Sequence, residues 1–248
     1  MLALMVVIGL AAGVLNYAAA SGSLLPFLVM SWLGVPMLVA NATTLAATPL
    51  SFVRAFWEIK RVPQVMAVPL IFAAAASAFG AFLVAKVVTA EFFRDAVPYV
   101  LIVCVAVLLT FRKTKARIDT NSWRGRFSPA ATRVLLTSGF SVTSVYAGAF
   151  GGSVGVMTLT VFGVVTRWPW PTINAAKNVL CLTTSLVGFG VYATTDLVLW
   201  PVAAVVGMAM VTGSLIGEKL LHTLSDNTLR LIVAAATTLA AGGLLWTS

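Results

Sequence analysis

Charged residues are scarce in this sequence. Asp, Glu, Lys and Arg make up 9% of the 248 residues, whereas 60% are hydrophobic and the mean hydropathy is +1.01. Because soluble domains carry about 25% charged residues, the chain has too few polar side chains to cover a water-facing surface. Several apolar runs approach the ~20 residues that cross a bilayer core. We therefore predict an all-α polytopic membrane protein, since continuous runs are not the alternating pattern of a β-barrel.

Cysteine and histidine are nearly absent as well. Cys104 and Cys181 fall inside apolar runs, and His222 is the single histidine. Neither a CxxC pair nor metal-ligand spacing is present, so no disulfide framework and no metal site are predicted. The sequence also lacks a Ser/His/Asp grouping, an HExxH motif and a phosphate-binding loop. We predict no catalytic residue, no metal ligand and no cofactor.

Positive charge is concentrated in one place. The net charge is +9, and seven of the sixteen Lys and Arg residues lie between Arg112 and Arg133. A cytoplasmic loop against anionic headgroups explains this distribution more simply than nucleic acid does. We predict a first transmembrane repeat at residues 1–111, a basic cytoplasmic linker at 112–131 and a second repeat at 132–248.

Ten apolar stretches are divided equally by the basic linker. They lie at about 2–18, 22–35, 37–57, 63–88, 95–111, 132–150, 152–166, 171–193, 197–217 and 227–247. The second and the seventh are too short for a straight crossing of about 20 residues, and each follows a joint of small residues. We predict that the first two elements of each half form a bent or re-entrant hairpin, which places two helix N-termini, favourable for anions, inside the membrane.

The two halves resemble each other. Residues 80–86 align with 213–219, 21–24 with 151–154, and 40–43 with 175–178, at offsets of 130 to 135. Because each half has an odd number of elements, the second must be inverted. With the linker inside, thirteen Lys and Arg residues fall inside and two outside, as the positive-inside rule requires. We predict a multi-pass protein of a bacterial-type cytoplasmic (inner) membrane.

Lys177 lies within an apolar stretch, where a cation costs about 3 kcal/mol on insertion scales. An anion at the membrane midplane would offset that cost; snorkelling or pairing with a carboxylate are the alternatives. Asn and Thr donors near it suit a small oxyanion, although such residues also join helices, and we favour helix joining for Ser77, Thr48, Thr183, Thr184 and Thr212. The predicted substrate-binding residues are Lys177, Asn178, Asn174, Asn41, Thr43, Thr44, Ser21, Gly22, Ser23, Gly151, Gly152 and Ser153, with Arg54 at the vestibule.

The pattern resembles the sulfite exporter TauE/SafE family over nearly the whole chain. The resemblance is carried by Ser-Gly-Ser-Leu-Leu-Pro at 21–26, Gly-Gly-Ser-Val-Gly at 151–155, Ala-Asn-Ala-Thr-Thr at 40–44 and Gly-Ser-Leu-Ile-Gly-Glu-Lys at 213–219. Lys177-Asn178 stands where such proteins often have Gly-Thr. The resemblance implies transport of sulfite, sulfoacetate or another small sulfur-containing anion.

The predicted function is secondary transport, by alternating access and outward, of a sulfite-like anion or organosulfonate. Carriage of another small anion such as a carboxylate, or an anion channel, remains an alternative. A membrane-embedded enzyme is disfavoured because no nucleophile–base pair is visible. The predicted partners are a small anion and membrane lipid; nucleic acid is not expected, and a homo-oligomer is left open.

Overall fold

The computed structural model describes residues 2–19, 22–103, 106, 127–152 and 154–220. This part of the chain consists of helices and the turns that join them, and it contains no strand. An all-helical chain is what the continuous apolar runs predicted. Other predictions lie outside the described residues: the element at 227–247, linker residues 112–126, Ser21, Cys104, Ser153 and His222.

The helices of the described part fall within or close to the nine predicted stretches that it covers. Their bounds are α1 (Leu2–Ala19), α2 (Leu24–Trp32), α3 (Met37–Ala47), α4 (Ala55–Glu58), α5 (Ala67–Phe82), α6 (90–103), α7 (Pro129–Ala149), α8 (Val154–Val165), α9 (Trp170–Tyr192) and α10 (Trp200–Leu220).

The third predicted element is not one continuous helix. Helix α3 ends at Ala47, a 3₁₀ segment follows over Thr48–Phe52, and α4 comes after it. Pro49 is the physical reason, because it has no N–H to donate to the carbonyl of Leu45. Thr48 adds to the break, since its side-chain hydroxyl donates to the carbonyl of Thr44 at 2.8 Å. The segment predicted as a single crossing at 37–57 is therefore divided into two helices by a 3₁₀ segment.

Side-chain caps set the starts of two helices. The backbone N–H of Phe92 donates to the hydroxyl of Thr89 at 3.3 Å, and this cap begins α6 about five residues before the predicted boundary. At α7 the hydroxyl of Ser128 accepts from the N–H of Ala131 at 3.2 Å, and Pro129 occupies the first helical position. Both arrangements satisfy an N–H that has no partner within the helix.

Two helical segments of the described part are long and apolar enough to cross a bilayer, Gln64–Val87 and Trp200–Gly217. In contrast, α2 has 9 residues and α8 has 12, which correspond to about 13 and 18 Å of helix against a hydrocarbon core of about 30 Å. Gly22, just before α2, lies against the backbone of Ala12, well before the end of α1. The start of α2 therefore lies beside the middle of α1.

Two helix pairs make the most extensive contacts of the described part, α1 with α10 and α5 with α7. Glycine lies at the closest approach in both pairs. A Cβ on Gly13 would collide with the carbonyl of Met210, and one on Gly213 with the carbonyl of Leu10; Gly80 and Gly148 meet α7 and α5 in the same way. Small residues allow such backbone contact, which is how helices gain van der Waals energy in lipid.

Both the outside and the interior of the described part are largely apolar. Large apolar side chains are exposed on the outside, among them Ile71, 68% exposed, and Phe79, 56% exposed, both on α5. The interior contains hydrophobic clusters together with buried Asn, Ser and Thr side chains and Lys177. An apolar exterior matches a lipid environment, where polar groups are placed toward other helices. The exposed tryptophans at helix ends, Trp32, Trp57, Trp170 and Trp200, have the position of an interfacial belt.

Candidate functional site

Lys177 is completely buried, with 0% of its surface exposed. It is the eighth of the 23 residues of α9, which places it about 10 Å along the helix axis from the first residue. Its ammonium donates to the backbone carbonyl of Tyr17 at 3.2 Å. Tyr17 lies in the last turn of α1, where carbonyls lack helical partners and carry the negative end of the helix dipole. The end of α1 therefore helps to compensate the buried charge.

Asn178, the next residue, makes a hydrogen bond to a carboxylate. Its side-chain N–H donates to Oε2 of Glu58, at the end of α4, at 2.8 Å. The other amide atom, Oδ1, is buried without a hydrogen-bond partner among the described residues. Arg54, half-buried on the preceding turn, and Glu58 both lie within electrostatic reach of the Tyr17 phenol. We call Tyr17, Arg54, Glu58, Lys177 and Asn178 the α1–α4–α9 cluster.

Asn16 organises the joint between α1 and α2. Its side-chain oxygen accepts from the backbone N–H of Gly22 at 2.7 Å and from that of Ser23 at 3.2 Å. Its amide nitrogen donates to the hydroxyl of Ser51 at 3.1 Å. The backbone donors that the sequence suggested for an anion are present, and the oxygen of Asn16 accepts from both of them.

The joint between α7 and α8 depends on a left-handed glycine. Gly151 has φ +74°, a conformation that side chains other than glycine adopt at a cost, and its N–H donates to the carbonyl of Tyr146 at 3.3 Å. Its own carbonyl accepts from the hydroxyl of Ser23 at 3.0 Å. Gly152 is buried against Leu24. The two small-residue joints therefore touch directly, although 128 residues separate Ser23 from Gly151.

A small cavity lies between the two joints. Its volume is about 20 Å³, counted as the space open to the centre of a water molecule. This is room for about one water molecule. Ser23, at the start of α2, and Val154, the first residue of α8, both contribute to its wall. The remaining lining residues come from α1, the α3 region, α7 and α9: Asn16, Leu45, Thr48, Phe52, Ala147, Gly151, Cys181, Thr184 and Ser185.

This cavity is adjacent to Lys177. Cys181 follows Lys177 by one helical turn on α9, and the lysine charge acts on its thiol. Residues four apart share a helix face, so Lys177, Cys181 and Ser185 follow one side of α9. Lys177 thus lies one helical turn along α9 from a residue that lines the cavity between the two helix N-termini, an arrangement that favours negative charge.

Two of the predicted polar residues of α3, Asn41 and Thr43, lie far from Lys177. Asn41 donates to the carbonyl of Ala149 at 2.9 Å and to the hydroxyl of Tyr192 at 3.4 Å. Because Tyr192 is the last residue of α9, its backbone lies about 22 Å from that of Lys177. Thr43 accepts from the N–H of Leu199 at 3.0 Å. The structure therefore does not bring Asn41 and Thr43 into the α1–α4–α9 cluster.

Two other predicted residues have a simpler environment. The hydroxyl of Thr44 is buried and has no hydrogen-bond partner among the described residues, so it is available to a ligand or a water molecule. Asn174 is half-buried on α9, one turn before Asn178.

The helix-joining role predicted for five hydroxyl residues holds for Ser77, which donates from α5 to the carbonyl of Thr184 on α9 at 2.8 Å. For the other four the described hydroxyl bonds are local and do not test the prediction, because a Ser or Thr hydroxyl readily bonds the carbonyl one turn back. These four donate to carbonyls of their own helix or turn: Thr48, Thr183, Thr184 and Thr212.

Sequence reasoning missed several polar residues of this region. Asn16, Glu58 and Tyr192 bind backbone or side-chain groups far away in the sequence, and nothing in their local pattern indicates this. Their positions in the sequence were the available signal. Asn16 precedes a small-residue joint, and Glu58 lies four residues after Arg54.

The family model described as Sulfite exporter TauE/SafE matches residues 5–244, nearly the whole chain. No curated protein and no solved structure matches the chain significantly.

Proposed function

The chain belongs to the sulfite exporter TauE/SafE family, whose members are membrane transporters of sulfite or related anions, and from this premise we propose a specific substrate class and path. The substrate is sulfite, sulfoacetate or a related organosulfonate, moved outward by alternating access. The protein resides in a bacterial-type inner membrane with the basic linker inside. The membrane potential assists export, because an inside-negative potential drives each negative charge outward by about 2.3 kcal/mol per 100 mV.

The observation that carries this proposal is the cavity between the two joints. Ser23 and Val154 bring the starts of α2 and α8 to one small space, and Lys177 lies one turn away along α9. A sulfonate group has three oxygens and one negative charge, which suits one ammonium with several neutral donors. The present volume of about 20 Å³ is too small for such an anion, so binding requires the helices around the cavity to separate.

Helix α9 supplies the proposed path. Polar groups follow it from the Lys177–Asn178 level, through the Thr184–Ser185 wall of the cavity, to Tyr192 and its partner Asn41. An anion that moves along α9 would exchange one set of neutral donors for the next. In this scheme Arg54 attracts anions at the vestibule, and Thr44 offers a hydroxyl that has no other partner in the described part.

We further propose that the halves are inverted repeats that rock about this site. The glycine contacts support the proposal: Gly80 meets α7 as Gly213 meets α1, and Gly148 meets α5 as Gly13 meets α10. Both correspondences fall within the 130-to-135-residue offset of the sequence repeat. Rigid pairs with close backbone contact are suited to rocking as units.

Replacing Lys177 by methionine tests the anion site. Methionine fills a similar volume without charge, so we expect the protein to insert and fold while it loses the thermal stabilisation by sulfite and sulfoacetate. The matched control is Lys86→Met, because Lys86 is exposed in the helical turn that follows α5 and its replacement should leave the stabilisation unchanged. Equal stabilisation of wild-type protein and the Lys177 variant by these anions would remove Lys177 from the site.

A further inference from the structure

One carboxylate reaches into the candidate anion site. Glu58 is the last residue of α4, and its Oε2 accepts from the side chain of Asn178 at 2.8 Å. Asn178 is 3% exposed and follows Lys177 directly, so Glu58 binds a donor that the proposed function assigns to the substrate. A carboxylate and a sulfonate oxygen seek the same donors. They therefore compete for Asn178.

The orientation of Asn178 has a cost. A carboxylate accepts only, so Asn178 must turn its NH₂ group toward Glu58. This orientation leaves Oδ1 buried without a hydrogen-bond partner among the described residues, and an unmet buried acceptor is unfavourable. The bond to Glu58 outweighs that penalty in the observed state. An unmet buried acceptor of this kind calls for a reason, and a role for the amide in binding supplies one.

The other donors near the cavity are likewise bound by groups of the protein itself. The oxygen of Asn16 accepts from Gly22 and Ser23, and the carbonyl of Tyr17 accepts from Lys177. These acceptors are neutral, however, whereas Glu58 carries a full negative charge. Among these acceptors, Glu58 is thus the one that holds its donor by a charge-assisted hydrogen bond, as a bound anion would.

We propose that Glu58 is an internal competing anion that closes the site at Asn178 and is displaced when substrate binds. This inference rests on the proposed anion site at Lys177 and Asn178. It makes Glu58 a determinant of affinity: the carboxylate lowers anion affinity, and its movement with α4 opens the route to the cavity. The break between α3 and α4 after Pro49 gives that short helix a place about which to move.

Sulfite titration of purified protein, followed by calorimetry at one fixed pH, tests the proposal. The key variant is Glu58→Gln, whose side-chain oxygen still accepts from Asn178 but carries no charge. We expect sulfite to bind about tenfold more tightly than to wild type, because a neutral amide oxygen holds Asn178 by a weaker hydrogen bond than a carboxylate does and is displaced more easily. Glu58→Ala should shift affinity in the same direction and serves if the glutamine variant does not fold.

Two matched variants separate this effect from a general change of charge. Glu91→Gln removes an exposed carboxylate at the start of α6 and should leave sulfite affinity at the wild-type value. The double variant Glu58→Gln/Asn178→Ala should show no gain over Asn178→Ala alone, because the competition acts through Asn178.

The possible failures are distinguishable. Unchanged or weaker sulfite binding in both Glu58 variants, with normal binding by wild type, overturns the competition and leaves the transporter proposal intact. A gain that persists in the double variant shows a long-range charge effect and also overturns it. If wild type binds neither sulfite nor sulfoacetate, the proposed function fails and the competition fails with it.

Discussion

A buried lysine in this protein donates to the end of a helix. The ammonium of Lys177 donates to the Tyr17 carbonyl, where the dipole of α1 is negative. The sequence identified Lys177 as unusual because a cation in an apolar run is costly. It did not indicate the partner, because a backbone carbonyl 160 residues away has no signature in side-chain identity.

Asn16 offers a second test at the level of single residues. We expect Asn16→Asp to fold, since a carboxylate oxygen still accepts from Gly22 and Ser23, but to lose stabilisation by sulfite. The added negative charge lines the cavity and repels an anion there. Thermal-shift titration checks the loss. Gln64→Glu adds the same charge at an exposed position and should bind sulfite normally; normal binding by the Asn16 variant would place the anion elsewhere.

At the scale of elements, the length of an apolar run predicted the short helices, whereas the break within one predicted element was not predicted. The two short apolar stretches became the short helices α2 and α8, as hydrophobic length alone predicts. The division of 37–57 at Pro49 was not predicted, because the residues around the break remain apolar and the periodicity of hydrophobicity does not change. Hydrophobicity reports burial in lipid or protein, whereas the break depends on a missing N–H.

Helix crossings give an element-scale prediction. Gly80→Ala and Gly213→Ala should each destabilise the protein by about 1–3 kcal/mol, because the new methyl group meets the backbone of the neighbouring helix. Gly190→Ala is the matched control: it lies on α9, and a methyl group added there has nothing within 4 Å, so its stability should change by less than about 1 kcal/mol and favourably. Unfolding in denaturing detergent measures all three.

Equal losses in the three glycine variants would mean that the destabilisation does not come from the crossings, since alanine favours a helix more than glycine does at all three positions. A loss confined to Gly80 and Gly213 would instead establish that close backbone contact holds the α5–α7 and α1–α10 pairs together.

For the whole molecule, the number of apolar elements and the positions of the charged residues predicted more of the arrangement than sequence motifs did. An odd number of elements per half and the positions of the Lys and Arg residues predict an inverted repeat, and the proposal is supported by matching glycine contacts in the two helix pairs. The pairing of α1 with α10 itself was not predicted. Apolar helix faces in lipid do not determine which helices pair. The pairing depends on small residues that allow close backbone contact, and their role is recognised only when the neighbouring helix is known.

Membrane topology supplies a prediction at this scale. In a protein with Cys104 and Cys181 replaced by alanine, Lys60→Cys and Asp196→Cys place single thiols at exposed positions. We expect a membrane-impermeant maleimide to label the Asp196 position in intact spheroplasts and the Lys60 position only after permeabilisation. Five predicted elements separate the two positions, so labelling from the same side would contradict the inverted arrangement.

The contact between α1 and α10 sets an order of events during synthesis. Helix α1 leaves the ribosome before the other helices described, but its glycine-lined partner ends at Leu220, about 200 residues and roughly 10–40 s later at ordinary elongation rates. The α5–α7 pair is completed well before that. Until α10 is made, the glycine face of α1 lacks its final partner. Of these two helix pairs, the one that contains the earlier helix is therefore the later to form.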